Sequence, residues 1–456
     1  MKESPRRLHT RTGVGGGGAL VVVGSSGDLA RKRIIPAALS LRRKGLVPRS
    51  YLILGIDRRP PDGDPQTLGY RFLEGDFRSK NTFSALGRLL RTSAEGIGFS
   101  VTFYMATRPE LFSGIIRRLK DEGLSRSKTG RRRILVEKPF GVDLESAQVL
   151  ERTLRSAFPA GDVFRVDHFL GKAGTDYILR ARFNSPRLEP VWNSRFIDHV
   201  QIIADERFDV GARGAFYDST GVVRDMVQNH LLQLLCLVAM EPPVTSGPSG
   251  VASSKARVLR TVRMPGARQV VWGQYRGYNQ ADGVRRNTRT PTFAAMKVTV
   301  DNARWRGVPF YLRTGKALAR TATQVVIVFR DSTPELTKAL GGLSFLRVCI
   351  DPSAGVVVEA KGRAKLAGSE KPRRTPDEYE SLLLDALRGD QARFVDARFN
   401  PLSWGLMGPL LDGWEGAPSL KPLPYEQGTW GPSSADRLIA ADGRFWRDGR
   451  RGSLSS

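Results

Sequence analysis

The fold is decided by the segment "ALVVVGSSGDLARKRIIPAALSLRRKG", residues 19–45. Ala19 to Val23 is a continuous apolar run rich in valine, as in a parallel strand buried on both faces. Gly24 and Gly27 end the run, and a helix-like stretch follows as far as Gly45. A strand, a glycine turn and a helix in that order open a βαβ fold. At such a turn the backbone can approach a pyrophosphate, and the helix N-terminus can hold the anion. The full G-x-G-x-x-G pattern is absent, because Ser26 stands at its second glycine and Ala30 near its third. A tight βα turn without a ligand has the same composition, so the motif alone leaves both readings open.

Further strands follow at 51–59 (YLILGIDRR), 99–107 (FSVTFYMAT), 132–139 (RRILVEKP) and 162–169 (DVFRVDHF), with helical patterns between them. Strands alternating with helices predict a doubly wound α/β domain with a parallel sheet over residues 19–166. Residues 167–456 have another texture. Strands at 196–206, 267–278, 294–302, 308–316, 323–330 and 346–352 are joined by short turns. They predict an α+β domain with a large, mainly antiparallel sheet. One of its helices runs from about Gly221 to Met240 and stops at Pro242-Pro243. Another opens at Thr375 with Pro376 and Glu378 behind it, a capping box, and closes at Gly389. The Lys/Arg-rich stretch 361–375 reads as a loop. Residues 1–18 read as a flexible basic arm: no apolar stretch stands behind their arginines, so no secretory signal is expected.

Composition narrows the function classes. Apolar residues at 40% and charged residues at 26% fit a globular protein. Cys236 and Cys349 both sit in apolar company, which excludes a disulfide framework and favours a reducing, cytoplasmic setting. No apolar run reaches membrane-spanning length. Lys and Arg outnumber Asp and Glu by 72 to 45, for a net charge of +27. Such a field attracts phosphorylated molecules and polyanions. The arginines are spread over the chain rather than gathered into a stripe with interleaved aromatics, so no specific nucleic-acid partner is expected.

Four stretches carry chemistry. Asp57-Arg58-Arg59 closes the second strand: an acid there would hold the ribose hydroxyls of NAD, an arginine the 2′-phosphate of NADP. The two arginines favour NADP, and Asp57 keeps NAD open. In "VEKPFG", Lys138 and Pro139 stand at the C-terminal end of a strand, the edge where open α/β sheets bind ligands. The bond before Pro139 is a candidate cis peptide. In "RVDHFLGK" (165–172), His168 and Lys172 are four apart and share a face if a helix begins there, a cation pair suited to a phosphate. Asp167 needs another partner. His230, on an apolar helix face, reads either as a core histidine or as a general base beside that carboxylate. Asp225, five residues earlier, is expected to point away from that face. His9 lies in the arm and His199 alternates with apolar neighbours, so His168 and His230 are the two candidate catalytic imidazoles. No Cys/His metal spacing and no G-x-S-x-G elbow occurs.

Six motifs occur in an order that resembles the glucose-6-phosphate dehydrogenase family. They are "GSSGDLA", "VEKPFG", "RVDHFLGK", "RGAFYDSTGVVRDMVQNHLLQLLCLVAMEPP", "VDNARWRGVPFYLRTGKAL" and "YEQGTWGP". The resemblance runs from residue 19 to about 446. It implies that residues 19–166 form a Rossmann-like coenzyme domain and that residues 167–456 form a substrate and dimerisation domain built on the large sheet. It implies oxidation of glucose 6-phosphate at C1 to the 6-phosphogluconolactone with NADP or NAD, without a metal, in a homodimer or homotetramer. It implies His230 as general base and Asp167 as its orienting group, His168 and Lys172 on the phosphate, and Lys138 and Lys316 on the sugar. Glu206 and Asp225 fall on sugar hydroxyls. Gly24, Ser26, Gly27, Asp28 and Leu29 form the coenzyme turn, Arg58 takes the 2′-phosphate, and Lys138 also borders the coenzyme.

The chain departs from the family at Phe169 (usually Tyr), Ala173 (usually acidic), Arg33 (commonly Lys) and Thr321 (usually basic). The stretches 59–99 and 351–375 are short for the family, the first as if a helix were missing. Weaker phosphate binding and altered assembly are the expected consequences. Two other readings remain open at this stage, a different NAD(P)-linked sugar oxidoreductase and a non-catalytic basic descendant.

Overall fold

A computed structural model describes residues 14, 16–61, 64–93, 98–245, 247–330, 334, 341–360, 363–368 and 378–450. The basic arm apart from residues 14 and 16–18, His9 within it, and the Thr375-Pro376 start of the capping box lie outside the described residues. The chain divides into two compact units.

The first unit comprises residues as far as Gly141, Glu145–Gly171 and Pro376–Asp396. Its sheet has six strands: β1 (Gly18–Val23), β2 (Leu52–Asp57), β3 (Arg71–Glu74), β4 (Ser100–Met105), β5 (Arg132–Glu137) and β6 (Val163–Val166). All pairs are parallel and the order is β3-β2-β1-β4-β5-β6. β1 is central and buried along its whole length, as its unbroken apolar run requires. Strand β3 and the helix Lys80–Ser93 occupy the stretch that looked short of a helix.

The unit runs past residue 166 and takes back a late segment. Helix Glu378–Arg388 packs Leu382, Leu383, Ala386 and Leu387 against Leu20, Val22 and Phe164. Each buried leucine contributes roughly 1.5–3 kcal/mol. Gly389 closes this helix at φ 85°, as the sequence suggests. Val395 then bridges to Arg165 on β6, its N–H donating to the Arg165 carbonyl at 3.0 Å. An amphipathic helix does not declare which sheet it covers, so the sequence pattern gave no sign of this return.

The second unit comprises Val142–Leu144, Lys172–Thr375 and Ala397–Ser456. Its sheet contains β7 (Ile197–Asp205), β8 (Val262–Arg263), β9 (Val271–Tyr275), β10 (Phe293–Val300), β11 (Pro309–Gly315), β12 (Ala322–Phe329), β13 (Leu343–Asp351), β14 (Gly355–Ala360), β15 (Arg363–Gly368) and β16 (Leu423–Tyr425). The order is β15-β14-β13-β12-β7-β11-β10-β9-β16, with β8 on β10. Most pairs are antiparallel, as expected. β7 with β11 and β9 with β16 are parallel. The expected loop at 361–375 is corrected in part: Arg363–Gly368 is a strand that pairs back onto β14. The long helix predicted from Gly221 to Met240 is not uniform. Gly221 breaks it at φ 67° and ψ 169°, and Val223–Leu231 is π-helical before α winding resumes at Leu232–Ala239.

Candidate active site

In the first unit the turn after β1 is a backbone construction. Gly24 has φ 89°, and a Cβ there would lie 2.8 Å from the Ala106 carbonyl oxygen, so only glycine fits. The N–H groups of Gly24 and Ser25 donate to the Ile56 carbonyl at 2.9 and 3.2 Å. Arg31 N–H donates to Gly27 at 3.0 Å, so Asp28, Leu29 and Ala30 occupy the first turn, whose N–H groups have no acceptor within the helix. That turn can receive a phosphate. Beyond it, Ala30–Ile34 is π-helical, with Ile35 N–H donating to Ala30. Pro36 explains the wide winding: it has no N–H, and its ring excludes the carbonyl four residues back.

Asp57 is tied into the turn by main-chain groups. Its carboxylate accepts the N–H of Ser26 at 3.0 Å and of Arg58 at 2.7 Å. The Ser26 hydroxyl donates to the Arg59 carbonyl at 2.7 Å. Both donors of Ser26 are therefore engaged within the protein, and Asp57 shapes the turn. Arg58 and Arg59 are exposed at the strand end, an arrangement that suits a 2′-phosphate. Asp28, also exposed, pairs with Lys32 at 3.0 Å, and that hydrogen bond lowers its carboxyl pKa.

At the ends of β4 and β5, the Tyr104 hydroxyl donates to Glu137 in a short hydrogen bond. Burial pushes the Glu137 carboxyl up to about 7, against opposing pulls from Tyr104 and the neighbouring Lys138 and a smaller push from Asp167. Lys138-Pro139 is a cis peptide. Asp167 is buried and accepts Phe169 N–H at 3.0 Å, which caps the short helix His168–Gly171. The His168 ring meets Phe169 edge-on at 5.0 Å and stacks on Tyr379 at 6.4 Å. Arg165 of β6 is held in an ion pair. Its guanidinium grips Glu151 with two bonds of 2.6 Å, both side chains buried.

In the second unit, register assembles the site. Asp205 of β7 pairs with Gly315 of β11 in parallel, so the next residues, Glu206 and Lys316, emerge side by side although 110 positions apart. Lys316 Nζ is 2.6 Å from Glu206 and 3.8 Å from Asp225. The backbone bends sharply after the lysine. Ala317 has φ 51°, a conformation that costs a non-glycine residue about 1–3 kcal/mol and is found where neighbouring structure dictates it. Hydrogen bonds from Lys316 N–H to Thr292 and from Ala317 N–H to Phe208, both 2.9 Å, hold the bend. The Tyr425 hydroxyl adds a third, to the Lys316 carbonyl at 2.7 Å.

Asp225 and His230 both lie on the π-helical stretch, and both are buried. In α winding, at 3.6 residues per turn, residues five apart point in well-separated directions. In i→i+5 winding they stack on one side. The α-helical spacing behind the expectation for Asp225 therefore does not apply over Val223–Leu231. Lys172 is corrected: it has extended backbone (φ −71°, ψ 132°) between two helices, so the i,i+4 argument for His168 and Lys172 does not apply. Lys172 pairs with Asp351 at 3.1 Å.

Residues 21–67 and 64–175 match the model of the glucose-6-phosphate dehydrogenase NAD binding domain, and residues 179–447 that of its C-terminal domain. The chain belongs to the glucose-6-phosphate dehydrogenase family. Glucose-6-phosphate 1-dehydrogenase 2 of Mycobacterium tuberculosis is 35% identical, over 94% of each chain. A glucose-6-phosphate dehydrogenase solved with its substrate glucose 6-phosphate superposes with a TM-score of 0.85 at 28% identity, covering 97% of this chain and 100% of the other. The Mycobacterium avium glucose-6-phosphate 1-dehydrogenase gives 0.79 at 32%, covering 94% and 98%. This chain is accordingly an oxidoreductase that oxidises glucose 6-phosphate with NADP as coenzyme. Among the described residues no helix is long and apolar enough to cross a membrane.

Of the residues expected in a glucose-6-phosphate dehydrogenase site, Gly24, Ser26, Gly27, Asp28, Leu29, Arg58, Lys138, Asp167 and His168 lie in the first unit. Lys172, Glu206, Asp225, His230 and Lys316 lie in the second. Glu206, Asp225 and Lys316 are brought together. His199 is structural, as read: it is buried between Asp198 at 2.6 Å and Gln201 at 2.9 Å. Sequence reasoning passed over Glu137, although it stands in the quoted "VEKPFG". It also missed Tyr217, although it stands in the quoted "RGAFYDSTGVV", and Tyr104, Tyr379 and Phe208, which carry no local motif.

Proposed function

We propose that His230 is the general base that takes the proton of the C1 hydroxyl, and that Asp167 orients its imidazole and stabilises the imidazolium. Lys316 and Lys138 contact the sugar and its oxygens. Glu206 and Asp225 accept hydrogen bonds from its hydroxyls. His168 and Lys172 bind the phosphate dianion, and Lys172 exchanges Asp351 for it on binding. Gly24 and Gly27 let the backbone close on the coenzyme, the first helical turn at Asp28 and Leu29 meets its pyrophosphate, and Arg58 holds the 2′-phosphate. Ser26 serves that turn through its bonds to Asp57 and Arg59. Bound there, NADP supplies the acceptor for the hydride that leaves C1. As His230 removes the hydroxyl proton, the O–H electron pair forms the C1 carbonyl and the hydride departs.

The observation that carries the sugar assignment is the buried cluster around Lys316. Two carboxylates converge on one ammonium. Beside them the buried Tyr217 hydroxyl has no hydrogen-bond partner among the described residues. Buried polar groups ordinarily have partners, and a polyhydroxylated ligand offers them. The reading is tested by following reduced-nicotinamide absorbance with glucose 6-phosphate and each coenzyme. Turnover with NADP is expected, and its absence from folded protein rejects the assignment. We further propose a cytoplasmic homodimer or homotetramer assembled through the large sheet. Sedimentation equilibrium reads its mass, and a monomer at micromolar concentration rejects that assembly.

A further inference from the structure

Lys316 lies between two aromatic rings. Its Nζ is 5.0 Å from the ring centroid of Phe208 and 5.1 Å from that of Tyr217. Tyr217 is buried, but Phe208 is 56% exposed. A large apolar side chain held in water forgoes roughly 25 cal/mol for each Å² it leaves uncovered. Phe208 is not simply a loop residue with nowhere to go. Its carbonyl is fixed by Ala317 N–H at 2.9 Å, and the preceding Arg207 N–H donates to Thr321 Oγ1 at 3.0 Å. The chain thus presents this ring beside the ammonium while leaving much of it open.

Glucopyranose has two kinds of surface. Its hydroxyls form a polar rim, and its axial C–H bonds form apolar faces. The charged groups of Glu206, Lys316 and Asp225 can serve the rim, but none of them can serve a face. We propose that Phe208 is a specificity-determining residue of this enzyme: its exposed ring is the platform on which the apolar face of the cyclic sugar packs. The inference rests on the sugar-site reading of Glu206, Lys316 and Asp225. Packing there covers Phe208, excludes water from the open side of Lys316, and strengthens the lysine's contacts with the sugar oxygens. It also favours a ring over an open-chain polyol phosphate of the same charge.

The test uses the full-length enzyme with saturating NADP. Phe208→Ala is expected to raise KM for glucose 6-phosphate about tenfold, with a much smaller change in kcat, as befits one lost aromatic contact. Phe208→Trp keeps a platform and is expected to restore KM to near the wild-type value. The Trp variant adds a direct reading. Its emission should shift on titration with glucose 6-phosphate and not with sorbitol 6-phosphate, which has the phosphate but no ring. Thermal melts confirm that each variant is folded. An unchanged KM in folded Phe208→Ala, or equal emission shifts with both phosphates, overturns the proposal. Lys316→Ala, measured alongside, separates the two readings. If Lys316→Ala retains full activity, the sugar-site assignment itself fails. If Lys316→Ala is crippled and Phe208→Ala is not, the platform alone fails.

Discussion

The glycine turn after β1 and the Lys316 cluster are made by opposite means. The turn is mostly backbone: Gly24 must have no Cβ, and the turn's hydrogen bonds join main-chain groups to one another, to one carboxylate and to the Ser26 hydroxyl. The cluster is side chain: Glu206, Asp225 and Lys316 meet because two parallel strands share a register and a helix is wound wide. The first kind of site declares itself in a short run, Gly24 to Ala30, although its supports at Ile56, Asp57 and Ala106 lie further along. The second is spread over more than a hundred, and each of its members looks ordinary alone.

Variants can break this contrast in order of effect. The largest belongs to His230. His230→Asn is expected to lower kcat by roughly 10³-fold or more, while equilibrium binding of glucose 6-phosphate persists. A kcat near that of the wild type makes the histidine a core residue. Next is Arg165, which shows whether the backbone-built unit also depends on a buried charge pair. Arg165→Met leaves Glu151 buried and unpaired, and should destabilise the first unit by about 3–5 kcal/mol. Arg165→Met with Glu151→Leu should recover most of that in denaturant melts.

Arg58 sharpens the coenzyme half. Removing one charge-assisted contact of about 1.5–3 kcal/mol should raise KM for NADP in Arg58→Ala by about tenfold to a hundredfold. KM for NAD should hardly move, because Asp57 is engaged by Ser26 and Arg58 N–H. The smallest effect is that of Glu137. Burial holds its carboxyl at about 7 against 4.5, so the folded state favours the protonated form. Its contribution to stability is complete below 4.5 and is lost as pH rises through about 7. Glu137→Gln lacks that loss. The melting temperature of the wild type should fall by a few degrees relative to the variant across this window, and parallel curves would show that Glu137 does not titrate there.

The same contrast explains what was legible in the sequence. β1, its glycine turn and the alternation that follows declare the parallel sheet, because a buried parallel strand needs an unbroken apolar run. The antiparallel majority of the second sheet shows as short strands joined by short turns. The parallel pairing of β7 with β11 does not show, because register between distant strands leaves no local mark, and Glu206 with Lys316 depends on that pairing. The direction of Asp225 was argued from 3.6-residue periodicity, which does not hold in a stretch that winds otherwise. The Arg165–Glu151 pair leaves no local mark either, because Glu151, fourteen residues earlier, is an ordinary acid in an amphipathic helix. His230 and Asp167 were recognised by motif, a route that names chemistry without geometry.

The return of Glu378–Arg388 to the first unit sets a schedule for the chain's synthesis. Leu20, Val22 and Phe164 wait for Leu382, Leu383 and Leu387, which emerge from the ribosome more than two hundred residues after β6. A nascent chain cannot finish its coenzyme unit first and its sheet unit second. Both mature together, at the cost of long-range closures that slow folding and leave an apolar face open in the meantime. A protein cut after residue 375 would lose part of the unit that ends, by sequence order, at Gly171.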